Sequence, residues 1–180
     1  KFFLSLPYLI LWFLKIIDDK FFKEKIINLF NLCKFFNELN PEDKKKWLEK
    51  YLINNLNQKA LLRLEKHKKN GDKVILCTAS TRMHIEPLAE YLNVDLICTE
   101  LKRANGLWKP CIKGFNCKGI EKVSKLKKYL KKNNNYLIEV YGDSKGDKEL
   151  LQYADIPHFR SFESKPINYP EFSLNKVFPV

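Results

Sequence analysis

The sequence predicts an α/β fold in which a parallel sheet, covered by helices, follows an all-helical segment. Three apolar runs of strand length, at 73–77, 94–99 and 136–141, alternate with segments whose apolar residues have helical spacing. That alternation is typical of parallel strands joined by helices. Residues 1–56 show helical spacing alone, which predicts a small helical bundle ahead of the sheet.

The first 17 residues are the most apolar part of the chain. The uninterrupted run Tyr8–Leu14 is too short to span a bilayer, and Pro7 interrupts the longer run. No small-residue cleavage site of the kind that ends a secretory signal follows it. We therefore expect a buried helix here, and membrane contact through residues 2–17 is the lesser alternative.

Helical spacing continues through residues 20–39 and in two further segments. The helix over 20–39 is expected to place one face against the core, formed by Phe22, Ile26, Phe30 and Cys33. The next helix begins at Asn40-Pro41, a capping residue followed by proline at the first helical position. A third helix runs from about 58 to 69 and stops at Asn70-Gly71, a favoured helix terminus.

The elements after residue 72 carry the α/β prediction. They are, in order, a strand over 73–77, a helix containing Ile85 and Leu88, a strand over 94–99, short strands within 106–114, a basic helix over 119–132, a strand over 136–141, a helix over 146–153 and a short strand near 158–160. Residues 164–180 contain three prolines and are predicted to form a surface loop.

The net charge and the cysteine pattern limit the kinds of ligand and the cellular compartment that we expect for this protein. A formal net charge of +12 favours anionic partners such as phosphate esters, nucleic acid or an anionic membrane. The lysines are scattered along helices, and the sequence has no zinc-ligand spacing, no aromatic-basic RNA motif and no recognisable DNA-reading helix. We expect a small phosphorylated ligand rather than nucleic acid. Five cysteines without a Cys-x-x-Cys pattern indicate a reduced, cytoplasmic protein, and the oligomeric state is not indicated.

Two carboxylates follow the strand over 136–141. Asp143 and Asp147 lie four residues apart in a glycine-containing turn, directly before a helical segment. Carboxylate oxygens suit Mg²⁺, and ligands of open α/β sheets bind at the carboxyl ends of the strands. A solvated polar turn is an equally good interpretation of this stretch alone, because Gly, Asp and Ser are common turn residues.

Two earlier positions favour a phosphate site when they are taken together with these carboxylates. Thr78, followed by Ala79 and Ser80, is expected where a strand ends and a helix begins, which is an anion-binding position, although its hydroxyl could simply cap the helix. Lys122 lies near the start of a basic helix, where it could neutralise phosphate or remain a solvated lysine. A hydroxyl, a lysine and a carboxylate pair are the parts that phosphoryl transfer requires.

Three segments resemble motifs of the haloacid dehalogenase-like (HAD) superfamily, specifically its phosphoserine-phosphatase-like branch with a helical cap. Val74–Ser80 is similar to the second motif, the segment 114–122 to the third, and Tyr141–Asp147 to the fourth, and the likeness runs from about residue 5 to 162. It implies a Rossmann-like parallel sheet with helices on both faces. The implied division is a helical cap over 1–56, an α/β core over 57–163 and a tail over 164–180.

The resemblance also implies a Mg²⁺-dependent phosphatase that acts through an aspartyl-phosphate. Thr78 would hydrogen-bond the transferring phosphoryl group, with Ala79 and Ser80 beside it, and Lys122 would neutralise its charge. Asp143 would bind Mg²⁺, whereas Asp147 would support the metal site and orient Lys122. The cap would close over a small phosphorylated substrate and exclude water.

One departure from the family pattern concerns the nucleophile. The first motif of the family is Asp-x-Asp-x-Thr after a short strand, and no Asp-x-Asp occurs in this sequence. We expect that this central strand is missing, that the 180-residue chain is inactive, and that it binds Mg²⁺ weakly. The alternative is a catalytically inactive HAD-like domain that binds a phosphorylated ligand or a protein partner. The coding sequence upstream of Lys1 would separate the two.

Overall fold

A computed structural model describes residues 2–130 and 136–162, with side chains from residue 4 onward. Its regular elements are α1 (Phe2–Phe13), α2 (Asp19–Leu29), α3 (Leu32–Glu38), α4 (Pro41–Tyr51), a 3₁₀ turn (Ile53–Asn55), α5 (Gln58–Lys69), β1 (Ile75–Thr81), α6 (Arg82–Tyr91), β2 (Asp95–Thr99), β3 (Leu101–Ala104), β4 (Leu107–Ile112), α7 (Ile120–Tyr129), β5 (Glu139–Gly142), a second 3₁₀ turn (Lys145–Asp147), α8 (Lys148–Tyr153) and β6 (Ile156–Phe159).

The chain divides into two compact units, each built from two stretches of sequence. The first unit comprises Lys1–Leu56 and Asp72–Cys117, and the second comprises Asn57–Gly71 and Lys118–Val180. One boundary of this division lies between residues 56 and 57, but Asp72–Cys117 group with Lys1–Leu56 rather than with Asn57–Gly71. The assignment of 1–56 as a cap and 57–163 as a core stays a prediction, and residues 164–180 lie outside the described residues.

The first unit contains one parallel and one antiparallel pair of strands. β1 pairs with β2 in parallel, and β3 pairs with β4 in an antiparallel hairpin. The hairpin turns at Asn105-Gly106, where both residues have positive φ, as a tight hairpin turn requires. Helices α2, α3 and α6 cover the hairpin with a core cluster of Ile27, Cys33, Phe36, Met83, Leu101 and Ile112.

The second unit is organised around one parallel pair, β5 and β6. Helix α8 connects the two strands and packs on both of them, and α7 packs on α8. The buried apolar side chains among the described residues of this unit come from the inner faces of these elements and are Val123, Leu126, Val140, Leu150 and Leu151. The α/β prediction is confirmed, since parallel strands alternate with helices in both units.

The helix predicted over 20–39 is wrong in its continuity. It is divided into α2 and α3 at Asn31, which adopts a left-handed conformation with φ of 54°. A left-handed residue cannot continue a right-handed helix, and asparagine tolerates that conformation better than most residues. The break turns Cys33 and Phe36 of α3 into the core while Phe30 stays 37% exposed.

The expectation of a buried first helix is also wrong. Helix α1 forms and continues through Pro7, at the cost of one main-chain hydrogen bond. Its large apolar side chains, however, are mostly exposed, with Phe13 at 81% and Leu4 at 62%. Its anchor to the rest of the unit is Trp12, which stacks on Phe22 with ring centroids 5.1 Å apart and donates to Asp19 Oδ1 at 2.7 Å.

Candidate active site

The carboxyl end of β5 forms a compact turn around the Asp147 carboxylate. Ser144 donates to Asp147 Oδ2 from its backbone N–H, at 3.1 Å, and from its hydroxyl, at 2.7 Å. The Asp147 N–H in turn donates to the Ser144 carbonyl at 3.0 Å. Gly142 is required here because a Cβ at that position would lie 2.8 Å from the Asp147 Cβ. The turn therefore fixes one carboxylate at the strand end.

Lys122 and Asp147 form a buried ion pair across this turn. The Lys122 Nζ donates to Asp147 Oδ1, and the two residues are only 7% and 8% exposed. Helix α7 is tied to the same turn by the Gly119 N–H, which donates to the Gly146 carbonyl at 2.9 Å. Burial opposes ionisation of Asp147, but the hydrogen bonds from Lys122 and Ser144 outweigh it and hold the pKa of that carboxyl below its usual value.

Asp143 lies at the mouth of the turn and is exposed. Its carbonyl accepts from Arg160 Nε at 3.1 Å, which ties the turn to the end of β6. An exposed carboxylate at a strand end fits one ligand of a Mg²⁺ ion that keeps most of its waters. Asp147 fits the orienting part better than direct ligation, because both of its oxygens already accept hydrogen bonds. The described residues hold no group of three His, Cys, Asp or Glu side chains that could bind a metal by themselves.

Thr78 lies inside β1 rather than at a junction between a strand and a helix, so that part of the prediction is wrong. The regular pairing of β1 with β2 ends at Cys77 and resumes at Thr81, opposite Ile97 and Thr99. Thr78, Ala79 and Ser80 therefore form a bulge, a device often found next to active sites. The Thr78 Oγ1 accepts from the Ser80 N–H at 3.1 Å. These residues belong to the first unit, so a crevice shared with Lys122 and Asp143 stays a prediction.

Sequence reasoning missed Lys23, which reaches this bulge from α2. The Lys23 Nζ donates to the Ala79 carbonyl and to Asn116 Oδ1, both at 2.6 Å. The Thr99 hydroxyl oxygen lies 2.7 and 2.9 Å from the same two oxygens and can donate its single proton to either. Burial, followed by the nearby charge of Lys23, lowers the pKa of His84 to about 4. No sequence signal could have found Lys23, because it is one of 33 Lys and Arg residues and its partners are 56 and 93 positions away.

A second missed cluster joins three elements of the second unit. Glu139 on β5 accepts from the Tyr141 hydroxyl and lies 2.7 Å from His158 Nε2 on β6. His67 on α5 lies 3.1 Å from the Tyr141 hydroxyl and 3.8 Å from the Glu139 carboxylate. The hydrogen bonds from Tyr141 and His158 outweigh burial and lower the pKa of Glu139. Burial, followed by the bond to Glu139, raises the pKa of Tyr141 to about 12.

The family assignment follows from a match to a family model. Residues 6–152 match the model of the haloacid dehalogenase-like hydrolases, which covers most of the chain. The chain belongs to the HAD family. The parallel strands that alternate with helices agree with this assignment.

The chain is also similar to curated proteins that extend well beyond the matched part. It is 35% identical over 98 residues to Protein CicA of Caulobacter vibrioides, from strains NA1000 / CB15N and ATCC 19089 / CIP 103742 / CB 15. That match covers 53% of this chain and 44% of each relative, so the chain spans less than half the length of the curated relatives it matches.

One solved structure shows the same fold at low sequence identity. A protein of unknown function from Bordetella pertussis Tohama I is 19% identical, with a TM-score of 0.69 over 84% of this chain and 70% of that one. A phosphoserine phosphohydrolase-like protein from Francisella tularensis subsp. tularensis SCHU S4 is 17% identical, with a TM-score of 0.49 over 86% of this chain and 78% of that one. The first likeness bears on the fold alone, and the second is too slight to support any argument.

Proposed function

We propose that the intact protein is a Mg²⁺-dependent phosphomonoesterase of the phosphoserine-phosphatase-like branch, which acts on a small phosphorylated substrate. The observation that carries this proposal is the buried Lys122–Asp147 pair beside Asp143 at the carboxyl end of β5. Phosphoryl transfer is catalysed mainly by charged groups held in place. Asp147 holds the Lys122 ammonium in one position, so that this charge would not have to reorganise during the reaction.

Each candidate site residue has its own role in the proposed reaction. Lys122 neutralises charge on the phosphoryl oxygens, and Asp147 orients the Lys122 ammonium. Asp143 would hold Mg²⁺, which supplies charge stabilisation for the oxygens of the phosphoryl group. The bulge at Thr78 supplies a hydroxyl, and the Ala79 and Ser80 backbone lies next to it. An aspartyl-phosphate route also needs an Asp nucleophile. This sequence contains no Asp-x-Asp pattern that would supply it.

The first test is hydrolysis of p-nitrophenyl phosphate by the full-length protein with Mg²⁺. We expect Lys122→Met to lower kcat/KM by about 10²–10³-fold, the usual effect of losing one charge-stabilising donor. Lys128→Met is the matched control, because Lys128 lies on the exposed side of the same helix, and it should leave kcat/KM unchanged. Asp143→Asn should weaken the Mg²⁺ dependence, and unchanged activity in that variant would show the metal assignment to be wrong.

A binding protein without turnover is the second candidate, since the Lys122 ammonium would hold a phosphate group without a nucleophile as well. It predicts that the full-length protein does not hydrolyse aryl phosphates at any Mg²⁺ concentration but still binds inorganic phosphate in a calorimetric titration. Hydrolysis that depends on Lys122 would exclude it. The absence of both hydrolysis and phosphate binding would contradict both candidates.

A further inference from the structure

One face of α2 contacts the main chain around the end of β4. Lys20 donates to the Gly114 carbonyl at 2.9 Å, and Glu24 Oε1 accepts from the Ile112 N–H at 2.6 Å. Lys23 lies on the same face of the helix, because residues three and four positions apart are neighbours there. The two contacts hold α2 in place and thereby fix the position from which the Lys23 side chain extends.

Lys23 holds two oxygens of the first unit together. Its Nζ donates to the Ala79 carbonyl and to Asn116 Oδ1, both at 2.6 Å. The Thr99 hydroxyl lies near the same two oxygens, but it has one proton and can serve only one of them at a time. Thr99 is fully buried, and its oxygen accepts from the Cys117 N–H at 2.9 Å. An ammonium has three protons, so Lys23 can serve both oxygens at once.

The bond from Lys23 to Ala79 sets the orientation of one peptide group. The Ala79 carbonyl and the Ser80 N–H belong to the same planar trans peptide, so the oxygen and the hydrogen point in opposite directions. Lys23 holds the oxygen on one side, which turns the N–H to the other side. That N–H donates to Thr78 Oγ1 at 3.1 Å. The position of the Thr78 hydroxyl therefore depends on Lys23 through one peptide group.

The bulge in β1 explains why a side chain is needed for this orientation. The pairing of β1 with β2 is regular as far as Cys77 and resumes at Thr81. In a regular sheet, main-chain hydrogen bonds to the neighbouring strand orient each peptide, whereas a bulge disrupts that ladder locally. At Ala79, side-chain donors from α2 and β2 contact the carbonyl oxygen instead.

We propose that Lys23 is a positioning residue for the Thr78 hydroxyl, which it orients through the Ala79–Ser80 peptide group. The inference rests on the proposed function, in which that hydroxyl meets the phosphoryl group of the substrate. In this role Lys23 acts through the main chain and does not contact the substrate.

The first measurement is hydrogen exchange at the Ser80 amide of the full-length protein, which does not require activity. Lys23→Met removes both hydrogen bonds, so the Ser80 N–H should exchange about threefold faster or more. Lys23→Arg keeps a cationic donor and should retain the wild-type rate. Lys25→Met on the same helix is the matched control, because Lys25 lies over the Phe21 ring, and it should leave the rate unchanged.

The second measurement asks whether Lys23 acts through Thr78. With p-nitrophenyl phosphate and Mg²⁺, Lys23→Met should lower kcat/KM by about 10–100-fold, because a misplaced hydroxyl stabilises the transition state less. In a Thr78→Val background there is no hydroxyl to orient, so the same substitution should change kcat/KM by no more than about twofold. A purely structural role would give the same loss in both backgrounds.

Two provisions keep both measurements decisive. Urea denaturation identifies conditions in which every variant is folded, and Lys23→Gln, a neutral donor on a shorter side chain, replaces Lys23→Met if the methionine variant does not fold. If the full-length protein binds phosphate without turnover, the same comparison is made on its affinity for inorganic phosphate. Lys23→Met should then weaken binding only while the Thr78 hydroxyl is present.

Three results would overturn the proposal. The first is unchanged Ser80 exchange in Lys23→Met. The second is an equal loss of kcat/KM with and without the Thr78 hydroxyl. The third is an active wild type whose kcat/KM does not change in Lys23→Met. A full-length wild type that neither hydrolyses the ester nor binds inorganic phosphate would refute the proposed function itself, and with it this role of Lys23, whatever the Ser80 exchange shows.

Discussion

At the scale of single residues, Lys122 and Asp147 show how a buried charge is accommodated. Each is almost fully buried, so the cost of removing it from water is offset by the other charge and by the Ser144 hydrogen bonds. Gly142 makes room for the carboxylate, and the main-chain bond from Gly119 to Gly146 fixes the distance between α7 and the turn. The pair is therefore positioned by main chain as well as by charge.

Removal of the Asp147 charge should destabilise the second unit. Asp147→Asn leaves the Lys122 ammonium buried opposite a neutral amide, so we expect the free energy of unfolding at pH 7 to fall by about 3 kcal/mol. Because the pKa of Asp147 is lowered in the folded state, its contribution is present above the ordinary value of about 4 and is lost as pH falls through the folded-state pKa. Urea titrations at pH 7 and at pH 2–3 measure this.

Asp155→Asn is the control for that prediction. Asp155 is exposed and its carboxylate accepts from the Ile138 N–H at 2.7 Å. Its substitution should cost much less than that of Asp147. Equal costs for the two variants, or a difference between wild type and Asp147→Asn that persists in full at low pH, would contradict the ion-pair interpretation.

A related prediction concerns Lys23, whose ammonium holds the bulge at Ala79 and the Asn116 side chain. Lys23→Met keeps the apolar stem but removes both hydrogen bonds, and we expect a loss of about 1–3 kcal/mol in the free energy of unfolding. Lys25→Met on the same helix is the matched control and should be nearly neutral, since Lys25 lies over an exposed ring. Chemical denaturation of the two variants compares them directly, and equal stabilities would show that Lys23 does not hold the bulge.

At the scale of elements, some helix ends are set by the local sequence and others by tertiary packing. Helix α4 begins where its sequence predicts, since Asn40 accepts from the Asp43 N–H at 2.8 Å and Pro41 takes the first helical position. Helices α2 and α3 are different, because the spacing of their apolar residues runs on across the break at Asn31. The left-handed residue is imposed by the packing of both helices on the β3–β4 hairpin.

The break at Asn31 can be tested with paired substitutions. Asn31→Val should lower the free energy of unfolding by about 1–2 kcal/mol because a β-branched residue is strained at positive φ, whereas Asn31→Gly should be close to neutral. Asn28 is the matched position because it lies within α2 and is exposed. There glycine should be the costlier change, by up to about 1 kcal/mol. If glycine has the same effect at both positions, Asn31 is not left-handed in solution.

At the scale of the whole molecule, each unit is assembled from distant parts of the chain. In the second unit, α5 precedes the strands of the first unit in sequence. It is held to β5 and β6 by contacts among four side chains, Glu139, Tyr141, His67 and His158. Tyr141 also stacks on His158, with ring centroids 4.4 Å apart. This group joins α5, β5 and β6 within one unit.

Glu139→Gln should lower the stability of the second unit. The carboxylate accepts from Tyr141 and faces both histidines, so we expect a loss of about 1–2 kcal/mol at pH 7. The pKa of Glu139 is lowered in the folded state, so the wild-type advantage should be full above about pH 4.3 and vanish as pH falls through the folded-state pKa. Glu65→Gln on α5, which affects only an exposed pair with Lys68 at 3.4 Å, should cost almost nothing. A pH-independent difference for Glu139→Gln would rule out the charge as its cause.

The sequence by itself determined the fold class, the start of α4, both ends of α5 and the order of the three motifs. These depend on neighbours in the chain: a cap such as Asn40 bonds to an N–H three residues later, and Gly71 accepts positive φ without strain. The resemblance also pointed to Lys122 and Asp147, which are 25 residues apart and meet in the structure.

Only the tertiary structure decided what each side chain faces. It showed that α1 is exposed although its composition is that of a core helix, that Thr78 lies in a bulge of β1, and that Lys23 reaches Ala79 across 56 positions. The physical reason is that hydrophobic burial and long-range hydrogen bonds depend on which elements pack together. A periodic pattern specifies an apolar face but does not specify what covers it.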